Sequence, residues 1–246
     1  MEKIKAAQDL EKRKQALGEE AGKLFGHIEA DLYNLRSLWR TYVSLFGTNS
    51  ERVELLNSIS SLTSYHLEKS LYDSAMLAIC RLTDPPQSHG SGPNVSVRRL
   101  PDLLNLEGHS DLHALVEKAG TTSKFARSWR NKKLAHSDDA VRNGKATLDH
   151  SSRIQMNVAI EAISDVVKWV GRECMDTQIM TMPIVRKSSD EVAFLRALFE
   201  GKECLEDRER RMKDLLRKRD YLGLERLIDK DKNPEWLVYM PPDEFY

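Results

Sequence analysis

The stretch RNKKLAHSD, residues 130–138, carries the residue types suited to handling a phosphate. Arg130 offers a planar fork of donors that holds a phosphate through paired hydrogen bonds and offsets charge building on it. His136 follows after five intervening residues. A neutral imidazole can take a proton from a ribose 2′-hydroxyl or return one to a leaving oxygen. Together, without a metal, these groups suffice for cleaving RNA through attack by its own 2′-oxygen. On a continuous helix, at roughly 100° per residue, the two side chains stand about 120° apart and share no face. They meet on one phosphate only if the helix ends near Ala135, or if a second copy of the chain completes the site. Ser137, Asp138 and Asp139 favour such an end. The plainer reading is a charged helix terminus.

Basic residues crowd the motif. Lys124, Arg127, Lys132 and Lys133 flank Arg130 with no acid between them, a local face for RNA backbone contacts that weaken with salt. Phe125 and Trp129, one helical turn apart, fit core or dimer contacts better than base-stacking platforms. Upstream, AICRLTDPP sets Arg81 and Asp84 at the end of a long apolar helix. There Arg81 offsets the helix dipole and Asp84 starts the turn before Pro85. The alternative is that one of them orients a catalytic group of the motif, and the structural role is the favoured one.

The elements that must position these residues are helical. Gly and Pro are scarce and Pro is clustered, which favours long helices with few loops. From Ala21 to Phe46, apolar positions such as Phe25, Ile28, Leu32, Leu35 and Trp39 recur at three- and four-residue steps, and Gly47-Thr48-Asn49-Ser50 ends that face and caps the next. A second helix runs from about Ser50 to Leu82 through Leu56, Ile59, Leu62, His66, Ala75 and Ile79, with His66 on its apolar side. Pro85 and Pro86 stop it. Short helices follow near Val97–Leu104 and Ser110–Lys118, Ser123 caps the helix carrying the motif, and Ser151–Cys174 is long again. No alternating strand pattern competes.

The blocks SLWRTYVSLFGTNSERVELLN (37–57), SAMLAICRLTDPP (74–86), NVSVRRLPDLL (94–104) and RNKKLAHSD, in that order, resemble the abortive-infection AbiU-type branch of the HEPN superfamily. The resemblance spans about residues 25–175. It implies an all-α bundle of four to five main helices that dimerises. It also implies a metal-independent endoribonuclease whose composite site forms where two Arg…His motifs face each other. Carried onto this chain, Arg130 is the phosphate-binding residue, His136 the acid and base, and Asn131 the polar residue that positions the site. The implied partner is host or phage RNA, in a toxin or antiviral effector restrained by an antitoxin or other regulator. No cofactor and no metal ligand set is implied.

The competing expectation is a non-catalytic dimeric HEPN module that binds a nucleotide or a partner protein. Equal numbers of basic and acidic residues, 38 each, lean slightly that way, because no overall basic field advertises RNA. Three scattered cysteines and the lack of an apolar leader or membrane-length run suggest a soluble cytoplasmic protein. The expected organisation is a bundle over residues 1–182 and a C-terminal region over 183–246. In that region a mixed-charge, solvated helix leads to an aromatic WLVYM segment, read as an edge strand or a docking segment.

Overall fold

The computed structural model describes residues 2–87, 92–105, 110–134, 143, 147, 149–184, 190–230 and 237. Every regular element among them is helical, as the periodicity predicts. The chain forms two compact units, Met1–Val192 and Ala193–Tyr246. No helix of the described residues is long and apolar enough to cross a membrane.

The first unit opens with α1 (Glu2–Leu17), which the sequence reading leaves unassigned. Its residues are mostly strong helix formers, Ala, Leu, Glu, Lys, Gln and Arg, and need no wide apolar stripe to coil. Gly18, at φ +86°, turns the chain straight into α2 (Glu19–Phe46) in a backbone conformation that favours glycine. α1 then lies so close on α2 that a Cβ at Gly22 would sit 2.6 Å from the Lys14 backbone nitrogen. Arg13 clasps Glu29 across the pair at 2.5 Å.

The apolar face of α2 is buried as expected, with Phe25, Ile28, Leu32 and Leu35 fully enclosed. Asn49 caps α3 (Ser50–Thr83) by accepting from the Arg52 amide. Within α3 the expected stripe splits. Leu56, Ala75 and Ile79 are buried, but Ile59 and Leu62 are exposed, and His66 is exposed too rather than on a buried face. The cause is Ser60, which is extended (φ −161°, ψ 99°) and interrupts the helix. Its hydroxyl accepts from the Thr63 amide, capping the helix that restarts there, so the residues before and after it do not keep one phase.

Beyond α3 come a 3₁₀ turn (Val97–Arg99), α4 (Leu100–Leu104), α5 (Ser110–Thr122), α6 (Lys124–Trp129), a π-helical turn (Arg130–Leu134) and α7 (Arg153–Met175). Ser123 does not cap α6. Its backbone is not extended (φ −95°, ψ 4°), and its hydroxyl donates back to the Ala119 carbonyl at 2.7 Å. Ser152 does cap α7, accepting from the Gln155 amide. Met156, Ile160 and Ile163 of α7 join Met76 and Ile79 of α3 and Leu112 of α5 in the core, whereas Ile154 and Val158 near its start face solvent. One polar knot crosses this core: Arg36 donates to Ser164 Oγ at 2.6 Å and pairs with Glu161 at 2.9 Å.

The second unit holds most of α8 (Glu191–Lys218) and α9 (Tyr221–Lys230). The mixed-charge run is helical and laced with exposed pairs such as Arg211–Asp207 and Lys213–Glu209. Pairs of this kind add only a few tenths of a kcal/mol each, roughly. Arg219 takes the left-handed conformation at φ 55° to end α8, and Asp220 accepts from the Gly223 amide to start α9. Apart from Leu237, the WLVYM segment lies outside the described residues.

Candidate active site

The site is assembled around the corner where α3 ends. Asp84 precedes a proline and is extended (φ −62°, ψ 157°), as that position requires. The last carbonyls of a helix lack intrahelical partners, and here other elements supply them. Ser96 Oγ donates to the Asp84 carbonyl at 2.6 Å and reaches the Leu82 carbonyl at 3.3 Å. From α6, Arg127 Nη1 donates to both the carbonyl and the hydroxyl oxygen of Thr83, each at 3.0 Å, while Nη2 donates to the Gly120 carbonyl at 2.5 Å.

Arg127 is therefore a brace that ties α6 to the ends of α3 and α5. The sequence reading sets it among RNA contacts, but its guanidinium is engaged inside the fold. Burial, aided by the nearby charges of Arg98 and Arg130, draws its pKa below the usual arginine value.

On this braced corner sits Arg130. Its Nη1 donates to both carboxylate oxygens of Asp84, at 2.7 and 2.9 Å, and its Nε donates to Asn131 Oδ1 at 3.1 Å. The pair is partly buried, with 29% of the Arg130 side chain and 17% of the Asp84 side chain exposed. The Nη2 edge makes no hydrogen bond to the described residues. A guanidinium fixed on two sides with one edge left over is ready for an external oxyanion. Below it lies Cys80, wholly buried, whose thiol is pushed up to about 11 by burial against the favourable nearby charge of Arg130.

The residues around Arg130 take several roles. The π-helical turn over 130–134 is wider than an α-helical one, a feature common where function re-aims side chains. Asn131 is exposed and bonded to Arg130. Lys132 Nζ donates to the Thr147 carbonyl at 3.3 Å, and Lys133 Nζ stands 4.2 Å from the centre of the Trp129 ring. Lys124 is exposed. Arg81 is exposed, and its side chain has no hydrogen bond or ion pair among the described residues. Phe125 is core, whereas Trp129 is half-buried, packed edge-on to Tyr72 and donating from Nε1 to the Asp149 carbonyl. His136, with Ala135, Ser137, Asp138 and Asp139, lies outside the described residues.

Of the sequence candidates, the structure thus brings Asp84, Arg130 and Asn131 together. The bracing by Ser96 and Arg127 was missed. Its sequence trace is slight: a serine opening SVRR and an arginine one helical turn before Trp129's neighbour offer no pattern that names their partners.

A model of the family AbiU2, one of the HEPN families, matches residues 18–195, more than half of the 246-residue chain. No curated protein and no solved structure matches it. With an all-α bundle and the Arg-Asn motif seated on Asp84, that match identifies the family: the chain is an HEPN protein of the AbiU2 family.

Proposed function

We propose that this protein is a metal-independent endoribonuclease, a toxin or antiviral abortive-infection effector that cuts host or phage RNA at a site shared by two copies of the chain. The observation that carries the reading is the Arg130 guanidinium, clamped by Asp84 and Asn131 with its Nη2 edge free of partners among the described residues. Arg130 binds the scissile phosphate and offsets charge on its oxygens. His136 accepts the proton of the ribose 2′-hydroxyl as the 2′-oxygen attacks phosphorus. An imidazolium returns a proton to the departing 5′-oxygen, leaving a 2′,3′-cyclic phosphate and a 5′-hydroxyl. Lys124, Lys132 and Lys133 hold the flanking backbone. Membership of an abortive-infection family supports the defence role.

The other reading is a non-catalytic HEPN module in which the Asp84–Arg130 pair only fastens α6 to α3. Purified wild type, Arg130→Ala and His136→Ala, incubated with total and transfer RNA in EDTA, separate the two. The proposal expects cut RNA bearing cyclic-phosphate ends from wild type alone. Intact RNA from all three proteins, with harmless expression of wild type, contradicts it.

A further inference from the structure

Trp129, next to Arg130 in sequence, and Lys133, three residues beyond Arg130, line an open cavity of about 360 Å³. Four rings face it: Tyr42 from α2, Tyr65 and Tyr72 from α3, and Trp129 from α6. A cavity of this size falls at the small end of ligand sites, and it combines apolar walls with a few convergent polar groups as such sites do.

Three of these rings, Tyr42, Tyr72 and Trp129, are held in place before any ligand arrives, while Tyr65 stands exposed at the rim. Tyr42 stacks on Trp39 at 4.9 Å between centroids, with 12° between planes. Tyr72 packs against Trp129 at 6.2 Å and shares a 2.7 Å hydrogen bond with Ser151. The indole N–H of Trp129 is anchored on the Asp149 carbonyl. A platform so fixed loses little freedom when a flat ring stacks on it.

The polar rim selects among flat rings. Lys133 and Arg153 bring positive charge to the wall, while Lys69 is paired with Asp73. Glu68 also lines the cavity, has no ion pair among the described residues, and offers an acceptor to an N–H donor. An aromatic wall, a cationic rim and a lone acceptor describe a nucleobase joined to a phosphate.

We propose that this cavity is a nucleobase subsite, which seats a base of the same bound strand at a distance from the phosphate held at Arg130 and gives the cut its sequence preference. Trp129 meets Tyr72 and Arg130 meets Asp84, and along α3 those two partners stand about 18 Å apart at roughly 1.5 Å per residue. The base seated here therefore belongs to a nucleotide further along the strand than the one whose phosphate Arg130 holds. The assignment of that phosphate rests on the ribonuclease reading; the pocket's affinity for a base does not.

The test is therefore a binding experiment that needs no cleavage. Short fluorescent RNAs with 2′-O-methyl riboses cannot be cut by 2′-attack. Their anisotropy is titrated with the full chain, once intact and once with a single abasic position moved along the strand. One abasic position should weaken binding about tenfold, the size of one lost base stack. Tyr65→Ala and Lys133→Ala should weaken the intact strand similarly and erase the difference from that abasic strand. Both side chains are exposed, so neither change disturbs the core, and circular dichroism checks that. Equal binding of every abasic strand, no binding of any strand, or indifference to Tyr65→Ala overturns the subsite. A protein that shows the abasic effect yet cuts no RNA keeps the subsite and loses the ribonuclease reading, and the converse result does the reverse.

Discussion

Arg130 and Asp84 are 46 positions apart and meet through both carboxylate oxygens. On the proposed reading, Asp84 aims the guanidinium. Asp84→Ala frees Arg130 to swing, and cleavage should fall about tenfold or more, a loss near 1.4 kcal/mol of transition-state stabilisation. Asp84→Asn keeps one acceptor and should lie between the two. Single-turnover cleavage rates at saturating RNA check this ordering. Equal rates for all three proteins assign the pair to structure alone.

Cys80, enclosed beneath the same corner, gives a pH signature. Its thiol moves from an ordinary 9.0 to about 11 on folding because burial penalises the thiolate. Between those values the unfolded chain has already released the proton that the native state retains, so stability falls as pH rises. Below about pH 9 both states hold the proton and this contribution is flat. The full effect across the window is on the order of 2–3 kcal/mol at about 1.4 per unit. Denaturant titrations from neutral pH to pH 11 should show this decline in wild type and a shallower one in Cys80→Ala. Native-state alkylation at pH 8 should label exposed Cys204 and spare Cys80.

At the scale of elements, sequence and structure agree where one helical phase runs unbroken and differ where something interrupts it. The faces of α2 and the buried length of α7 are legible because nothing breaks their period. The α3 stripe is not, because Ser60 restarts the helix and turns Ile59, Leu62 and His66 outward. The cluster Ser60-Ser61-Leu62-Thr63, a cap followed by a hydroxyl three residues on, is the local signal for that break. α1 was unreadable by periodicity because its attachment depends on backbone approach at Gly22 rather than on an apolar stripe. Gly22→Ala should therefore cost about 1–3 kcal/mol by forcing α1 off α2, measured by urea unfolding. Faster amide exchange confined to α1 and the facing turn of α2 should accompany it. An unchanged midpoint would mean that α1 is not packed as described.

Across the whole molecule, the motif was the most legible feature and its surroundings the least. Arg130 and Asn131 stand out by type and spacing along the chain. Asp84 and Arg127 draw notice in the sequence without revealing their partners, Ser96 draws none until the fold gathers them, and the four rings of the cavity come from three separate helices. No local pattern encodes such gatherings, because each contact depends on how distant helices pack. The Nη2 edge of Arg130 has no hydrogen bond among the described residues, and on the proposed reading a second chain completes the site there.

The most direct measurement mixes two proteins that are each inactive. Arg130→Ala supplies intact His136, and His136→Ala supplies intact Arg130. Unfolded together in equal amounts and refolded, about half of the dimers formed at random contain one of each. The account predicts that neither protein alone cuts RNA in EDTA, and that the mixture regains cleavage with 2′,3′-cyclic phosphate ends. A mixture as silent as its components, beside an active wild type, would contradict a catalytic site shared between two copies.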